Sequence, residues 1–320
     1  MFMKIKYDLN FIKKMPSKSI ALVANDSGGA YHLAAWLRNY YTKLKFSVSG
    51  EALKIFKNTW PKFDNLKLEE CLENTNLLIS GTSKSSINLE HNARKLANQL
   101  SIPSIAVVDH WINYRERFIR NHAEILPTQI WVSDNYAKDE LSKIYPQKTI
   151  IQLPNQFLLD KVTDFKKIRN VIRKKSNEIP AINILYLTEP IKEFWKGGGN
   201  FISEYQALFY FLNSFPELKK KKIVSNNNQL KIRIHPSEKI DKYYDILNIC
   251  KGKNLKTSFD NSINIENALA WADIVFGCET QSLNIAIACD IPTYSTLPPN
   301  APRCVIRNKK LIILKDFIKI

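Results

Sequence analysis

The chain has 320 residues, of which 45% are apolar, 11% aromatic and 24% charged. This composition excludes a disordered chain, a collagen-like repeat and a small disulfide scaffold. One hydrophobic core usually stops growing at roughly 250–300 residues, so the length predicts two domains. The 47 Lys and Arg residues outnumber the 30 Asp and Glu residues and give a net charge of +17, which favours an anionic partner such as nucleic acid, a lipid surface or a phosphorylated substrate.

Lysine carries most of this excess charge, because the sequence contains 37 Lys and 10 Arg residues. Specific recognition of phosphates or bases favours the arginine fork. We therefore interpret the charge as a solvated surface, with attraction to an anionic membrane face or an anionic substrate as the alternative. A nucleic-acid-binding protein is not favoured, since no helix-turn-helix pattern or zinc-finger spacing accompanies the charge.

The five cysteines include no C-x-x-C pair, which argues against a disulfide framework or a thiolate zinc site and fits a reducing compartment. The amino-terminal residues lack the apolar stretch and cleavage site of a signal peptide, and no run of 18 uncharged apolar residues occurs. We expect a cytoplasmic protein that does not span a membrane. Peripheral binding to the inner face of the cell membrane is the alternative.

In the first half, β-branched runs alternate with amphipathic helical patterns, as in parallel βαβ units. Strands are predicted over 20–24, 77–81, 105–109 and 130–133, which together form one open sheet in residues 1–155. Two helices are predicted from inward-facing side chains at helical spacing: Leu33, Leu37, Tyr41 and Leu44 in the first, and Leu89, Ala93, Leu96 and Leu100 in the second.

A basic helical stretch over 156–180 is predicted to connect the domains, and the alternating pattern then restarts in 181–320. Strands are predicted there over 182–188, 231–235, 273–277 and 291–295, with helices near 201–214, 239–250, 263–272 and 280–289. The predicted fold class is therefore α/β, with two Rossmann-like open parallel sheets that face a central cleft.

The turn after the first predicted strand reads NDSGGAYH. Ser27, Gly28 and Gly29 lie at a helix start, where free N–H groups and the helix dipole can face an anion. The turn is neither G-x-G-x-x-G nor G-x-x-x-x-G-K-[ST], so it lacks the signatures of dinucleotide and ATP-type phosphate sites. Asp26 is a candidate catalytic carboxylate or only a helix cap, and His32 either points to the cleft or packs.

Two further segments follow predicted strands of the first half. In VVDHWINYRERF, Asp109 and His110 end a strand, and a carboxylate and an imidazole at that place can serve as general base and partner for an acceptor hydroxyl. Asp109 as a simple turn cap is the alternative. The hydroxyls of Thr82 and Ser83 follow another strand and can hydrogen-bond a sugar or a phosphate.

In the second half, His235 and Pro236 end a predicted strand, and the proline forces the chain out of the sheet. His235 is thereby placed beside the cleft as a candidate hydrogen-bond donor to a phosphate. The loop that contains Lys196 and Gly197–Gly199 could bring backbone N–H groups near a phosphate or be an ordinary mobile loop.

The stretch ENALAWADIVFGCETQSLNIAIACDIPTYST resembles the nucleotide-sugar-binding region of GT-B glycosyltransferases, and SGGAYH is similar to their glycine-rich first loop. His-Pro after a strand resembles the motif of bacterial sialyltransferases and capsule Kdo transferases, although their acidic D/E-D/E-G element is missing. The resemblance implies that the turn Glu279, Thr280, Gln281 and Ser282 contacts the donor ribose and diphosphate. We add as donor-binding candidates Thr188, Lys196, Arg233, His235 and Pro236.

No Asp is followed two positions later by another Asp, so the D-x-D metal element of GT-A enzymes is absent and a metal-independent enzyme without a resident cofactor is expected. The resemblance implies transfer of a sugar from a nucleotide-sugar donor to a glycan or lipid-linked acceptor in polysaccharide, capsule or lipopolysaccharide synthesis. Asp109, with His110, His32 or Asp26, would deprotonate the acceptor. The alternatives are a nucleotide-sugar epimerase or hydrolase of the same fold, a basic nucleic-acid-binding protein and an inactive partner subunit.

Overall fold

The computed structural model describes residues 9–83, 87–173, 181–191, 203–253 and 255–318. The chain divides into two compact units, Met1–Phe157 and Leu158–Ile320. In the described part of each unit, the largest sheet has six strands that all run parallel. The predicted α/β class with two Rossmann-like parallel sheets is therefore confirmed.

The first unit alternates strands and helices along the chain. Its elements are α1 Asn10–Lys13, β1 Ile20–Ala24, α2 Ser27–Leu37, β2 Leu44–Val48, α3 Gly50–Thr59, α4 Leu68–Leu72, β3 Leu77–Ser80, α5 Leu89–Gln99, β4 Ser104–Val108, β5 Ile119–Arg120, β6 Ala123–Glu124, β7 Gln129–Val132, α6 Asn135–Ile144 and β8 Thr149–Gln152.

The first sheet has the strand order β2-β1-β3-β4-β7-β8. Strands β1 and β4 are buried along their whole length, because the crossover helices of a parallel sheet cover both of its faces. The chain leaves β1 toward β2 on one side, and the later strands are added on the other side beyond β3. The topological switch point of this sheet therefore lies between β1 and β3.

The second unit starts within helix α7 Gln156–Arg173. The elements that follow are β9 Ile182–Leu187, α8 Glu204–Asn213, α9 Phe215–Lys220, β10 Asn228–Arg233, α10 Tyr244–Gly252, β11 Lys256–Phe259, α11 Ile265–Trp271, β12 Ile274–Gly277, α12 Gln281–Ala288, β13 Thr293–Ser295, β14 Ile312–Ile313 and α13 Leu314–Phe317.

The second sheet has the strand order β11-β10-β9-β12-β13-β14. Numbered within the unit, this is the order 3-2-1-4-5-6 of the dinucleotide-binding Rossmann fold. Its switch point lies between β9 and β12, and the core on its faces is built from buried aliphatic and aromatic side chains such as Tyr186, Phe211 and Phe276.

Several sequence-based predictions differ from the structure. The helix after β1 ends at Leu37, a 3-10 helix Arg38–Lys43 follows, and Leu44 begins β2. Leu44 is buried as part of this strand and not as part of a helix face. Leu100 lies just beyond α5 and is 52% exposed, so it was wrongly assigned to the inward face. The strands β2, β5, β6, β8, β11 and β14 were not predicted, and the last residues of the proposed linker, 174–180, lie outside the described residues.

All five cysteines are buried and none forms a disulfide. Within the described ranges, no helix combines the length and the apolar character that crossing a membrane requires.

Candidate functional site

Each sheet carries a group of polar side chains at the carboxyl ends of its strands, next to its switch point. Open α/β sheets bind ligands at this place, because the connections on either side of the switch point run in opposite directions and leave a crevice. In the first sheet the switch point brings the turns after β1 and β3 together. A Cβ built on Gly29 would lie 3.2 Å from Cα of Gly81.

Asp26 begins helix α2, and its side chain accepts the backbone N–H of Gly29 at 3.2 Å. It is therefore a helix cap, as one of the two sequence interpretations proposed. Burial raises its pKa to about 7, and the neighbouring carboxylates of Asp109 and Glu90 add to the rise. A carboxyl group that titrates near neutrality can take up and release a proton at physiological pH.

Asp109 follows β4 directly and lies against the glycines of α2. A Cβ built on Gly28 would lie 1.7 Å from Oδ2 of Asp109, so only glycine leaves room for this carboxylate. Arg117 donates to Oδ1 of Asp109 at 3.1 Å, and both side chains are about a tenth exposed. The ion pair holds Asp109 in one orientation at the edge of the sheet.

Thr82 and Ser83 form the turn after β3 and are buried. The hydroxyl of Thr82 donates to the carbonyl of Val107 at 2.8 Å, and the hydroxyl of Ser83 donates to Oε2 of Glu90 at 2.7 Å. Both predicted hydroxyls are thus committed to the protein. Glu90 also accepts the N–H of Asn25 at 2.8 Å and thereby links the turns after β1 and β3.

The two candidate histidines of the first unit, His32 and His110, differ in their surroundings. His32 is 4% exposed and stacks among the rings of Trp36 and Phe157. His110 is partly buried beside the ring of Trp111. Burial lowers the pKa of both imidazoles, and Arg117 lowers that of His110 further. Both rings are therefore neutral at physiological pH, and the Nδ1 atoms have no hydrogen-bond partner among the described residues.

In the second unit, the edge of the sheet contains a hydrogen-bond network around Thr188 and Glu238. The hydroxyl of Thr188 donates to Oε2 of Glu238 at 2.8 Å and accepts the N–H of His235 at 2.8 Å. Nδ1 of His235 accepts the N–H of Ser237 at 3.2 Å. The same Nδ1 lies 2.8 Å from the hydroxyl of Ser237, so Ser237 contacts this ring atom through both its N–H and its hydroxyl.

Glu189 and Glu279 face each other across the switch point of the second sheet. Oε2 of Glu189 accepts the N–H of Glu279 at 2.8 Å, and Oε2 of Glu279 accepts the N–H of Val305 at 3.0 Å. Burial raises the pKa of Glu189 to about 7, with further contributions from the charges of Glu279 and Glu238. The sequence analysis did not select Glu189, although the Thr-Glu-Pro that follows β9 marks it.

The remaining donor-site candidates lie at different places. Thr280 is the N-cap of α12 and its side chain accepts the N–H of Ser282, so Gln281 and Ser282 form the first turn of this helix. Arg233 is bound by the fully buried Asp260 and the carbonyl of Ser262. Pro236 is exposed. Lys196 and Gly197–Gly199 lie outside the described residues.

The described residues contain no group of three His, Cys, Asp or Glu side chains that could hold a metal ion. The sequence analysis quoted Arg117 only as part of a motif, and it missed Glu90, Arg94 and Arg120, which lie beneath the first site. Their hydrogen bonds to this site include ones between positions 8 to 65 apart in the chain, which only a known strand order could have revealed.

The two Rossmann-like α/β units give the chain a fold of the GT-B type, and solved structures share this fold. The chain resembles UDP-GlcNAc 2-epimerase from Methanocaldococcus jannaschii with 13% identity and a TM-score of 0.57, over 86% of this chain and 83% of that one. It resembles the UDP-GlcNAc 2-epimerase from Neisseria meningitidis bound to UDP-GlcNAc with 13% identity and a TM-score of 0.55, over 88% and 83% of the two chains. No protein-family model and no curated protein matches the sequence.

Proposed function

We propose that this protein is an enzyme that acts on a nucleotide sugar and transfers the sugar to an acceptor hydroxyl without a resident metal. The observation that carries the proposal is the pair of carboxyl groups at the edge of the first sheet. Asp26 has a pKa raised to about 7, and Asp109 is oriented by Arg117. Such a pair supplies a base of suitable strength at neutral pH next to a group of fixed charge.

In the proposed reaction, the carboxylate of Asp26 takes the proton of the acceptor hydroxyl. The acceptor oxygen forms a bond to the anomeric carbon, and the bond from that carbon to the phosphate oxygen breaks, so the nucleotide leaves with the electron pair. Asp109 hydrogen-bonds the acceptor and keeps Arg117 in place. Neutral His110, with its lowered pKa, provides a further polar group without adding charge.

The edge of the second sheet is proposed to bind the nucleotide. Support comes from its Rossmann strand order and from the first turn of α12, whose N–H groups and dipole favour a phosphate. His235 adds an imidazole to this edge, and its Nδ1 accepts the N–H of Ser237. The fold is shared with M. jannaschii UDP-GlcNAc 2-epimerase, which has been solved in complex with UDP-GlcNAc and UDP.

A second candidate is epimerisation of the nucleotide sugar, because the solved structures of similar fold are UDP-GlcNAc 2-epimerases. Epimerisation requires removal of a proton from a sugar carbon and its return to the opposite face. Asp26 and Asp109 could share these two steps. An epimerase needs no acceptor, whereas a transferase is inactive or only hydrolytic without one.

Nucleotide binding is the first measurement. Thermal unfolding in the presence of UDP, GDP, CMP, dTDP and ADP should show stabilisation by one of them, about 2.7 kcal/mol at 100 times the dissociation constant. A response to CMP would support the resemblance of His235-Pro236 to sialyl- and Kdo-transferase motifs. The absence of any response would contradict the proposed function.

Product analysis then separates the two reactions. The matching nucleotide sugar is incubated in D₂O alone, and again with oligosaccharide or lipid-linked glycan acceptors. Deuterium in the recovered nucleotide sugar without an acceptor would establish epimerisation and overturn transfer. Free nucleotide and a lengthened glycan, formed only with the acceptor, would establish transfer. Activity that persists in EDTA is expected for either reaction.

A further inference from the structure

Three consecutive carbonyl groups in the turn after β3 are each bound by a different arginine. Arg94 donates to the carbonyl of Gly81 at 3.0 Å, Arg117 donates to that of Thr82 at 3.1 Å, and Arg120 donates to that of Ser83. These arginines come from α5, from the segment after β4 and from β5. A turn rarely receives three guanidinium groups, since each buried cation costs desolvation free energy.

The arginines also determine where the N–H groups of this turn point. In a trans peptide, the C=O of one residue and the N–H of the next point in opposite directions. The bound carbonyls of Gly81 and Thr82 therefore turn the N–H groups of Thr82 and Ser83 away from the guanidinium groups. Both residues are at most 5% exposed, and neither N–H has an acceptor among the residues that the structure describes.

The first of these N–H groups, that of Thr82, lies beside the start of α2. A Cβ built on Gly29 would lie 4.0 Å from the backbone nitrogen of Thr82. Helix α2 has 11 residues, so its dipole and first N–H groups also favour negative charge at this place. In addition, the Nε atoms of Arg94 and Arg117 are buried and have no partner within the described ranges.

The charges around this place are nearly balanced. Arg94, Arg117 and Arg120 are opposed by Asp109 and Glu90, and Asp26 becomes neutral below its pKa of about 7. Oxygens of Glu90 are occupied by the N–H of Asn25 and the hydroxyl of Ser83. With Asp26 protonated, the cluster has one cation in excess, which an anion would compensate.

We propose that the N–H groups of Thr82 and Ser83 bind an oxyanion, a phosphate or a carboxylate carried by the substrate of the first unit. Aligned backbone N–H groups backed by arginine are a common way to bind such groups. The inference rests on the proposed function for its biological meaning, since it implies that the acceptor is an acidic or phosphorylated glycan. The binding itself is testable without any enzymatic activity.

The direct test is NMR titration of ¹⁵N-labelled protein with inorganic phosphate and, separately, with acetate. The amide signals of Thr82 and Ser83 should move downfield and saturate. Stronger binding of phosphate would identify a phosphorylated acceptor, and stronger binding of acetate a carboxylated one. Unchanged amide signals with both anions would overturn the proposal.

Two variants test the geometry. Gly29→Ala places a methyl group 3.2 Å from Gly81 and close to the N–H of Thr82, and should weaken anion binding at least 10-fold. Gly252→Ala is the matched control, because no atom lies within 4 Å of the added Cβ. Arg120→Ala removes the cation by which the three arginines exceed Asp109 and Glu90 and should weaken binding several-fold, which keeps the test open if Gly29→Ala does not fold. Equal anion affinity in the wild type and both variants would contradict the proposal.

Failure of this inference is distinguishable from failure of the proposed function. If the protein binds a nucleotide and turns over a nucleotide sugar but the amide signals of Thr82 and Ser83 do not change with anions, only the anion site is wrong. If the amides respond while no nucleotide binds, the anion site stands and the proposed function is wrong.

Discussion

The charged side chains at the carboxyl edges of the two sheets are paired in different ways. In the first, Arg117 pairs with Asp109 and the guanidinium groups bind backbone carbonyls, so the N–H groups of the turn stay uncommitted. In the second, Lys242 pairs with Glu238, and the N–H of Glu279 is taken by the carboxylate of Glu189. Each edge also retains one carboxyl group with a pKa near 7 that no described cation fully compensates.

The difference shows which edge can receive an anion as it stands. At the first edge, the N–H groups of Thr82 and Ser83 have no acceptor among the described residues. At the second edge a phosphate must use the N–H groups further along the first turn of α12, or compete with Glu189. Protonation of Glu189 would remove the negative charge that opposes a phosphate, so nucleotide binding at this edge is expected to be coupled to proton uptake.

A large fall in activity is expected for Asp109→Asn. The change keeps the shape of the side chain but removes the charge that holds Arg117 and the carboxylate that orients the acceptor, and misplacement of a reacting group costs about 100-fold in rate. The measurement is kcat/KM with the nucleotide sugar identified above. Asp290→Asn is the matched control, because Asp290 forms an exposed ion pair with Lys310 and should change activity less than twofold. Equal activity of both variants would remove Asp109 from the site.

Replacing a glycine by alanine should lower activity at the first edge and stability at the second. In Gly28→Ala the added Cβ would lie 1.7 Å from Oδ2 of Asp109, so that carboxylate must move and activity should fall about 10- to 100-fold. In Gly277→Ala the Cβ would meet the carbonyl of Leu187 at 3.1 Å and the side chain of Leu283 at 3.2 Å. Stability should fall there by about 1–3 kcal/mol. Thermal unfolding and kcat/KM are measured for both variants, with Gly252→Ala as the reference. If both variants lost activity and stability to the same extent, the difference expected between the two glycines would be contradicted.

Asp26→Asn should alter the dependence of stability on pH. The pKa of Asp26 is about 7 in the folded protein and 3.8 in its unperturbed state. The folded state therefore binds more protons between these values, and the contribution of Asp26 to stability falls as pH rises from about 4 to about 7. Asn keeps the cap and abolishes this loss, so the variant should be more stable by about 1–3 kcal/mol at pH 8 and no more stable at pH 4.

Unfolding by denaturant at both pH values checks this expectation. A variant less stable than the wild type at pH 8 would contradict the raised pKa. Asp26→Asn should also lose catalytic activity, because the carboxylate that destabilises the folded state is the proposed base. Such a trade of stability for activity is common at functional sites.

The smallest effect is expected for Glu189→Gln. The amide oxygen of Gln can still accept the N–H of Glu279, while the negative charge near the first turn of α12 disappears. Affinity for the nucleotide should rise about two- to fivefold at pH 8 and remain unchanged at pH 6, where the pKa of about 7 leaves Glu189 mostly protonated. Titration calorimetry at both pH values measures this, and proton uptake on binding should vanish in the variant.

The elements and the candidate edges were largely predictable from local patterns. Buried runs such as IALVA and DIVFG predict strands because both faces of a parallel sheet are covered, and glycines and polar residues directly after these runs mark the carboxyl edge. The short strand LKFSV was missed, because Leu44 also continues the helical spacing of the preceding residues. Arg233 was predicted from its strand position, but its orientation toward Asp260 depends on the neighbouring strand β11.

The sequence by itself determined the α/β class, the two sheets and the turns that carry polar residues, because strand and helix periodicity and turn chemistry act over a few residues. Only the tertiary structure decided that Asp26, Asp109, Gly28 and Arg117 lie together and that Glu189 reaches Glu279. These contacts depend on strand order and on side-chain direction, which join positions far apart in the chain. The raised pKa values depend on the same burial, which no local pattern contains.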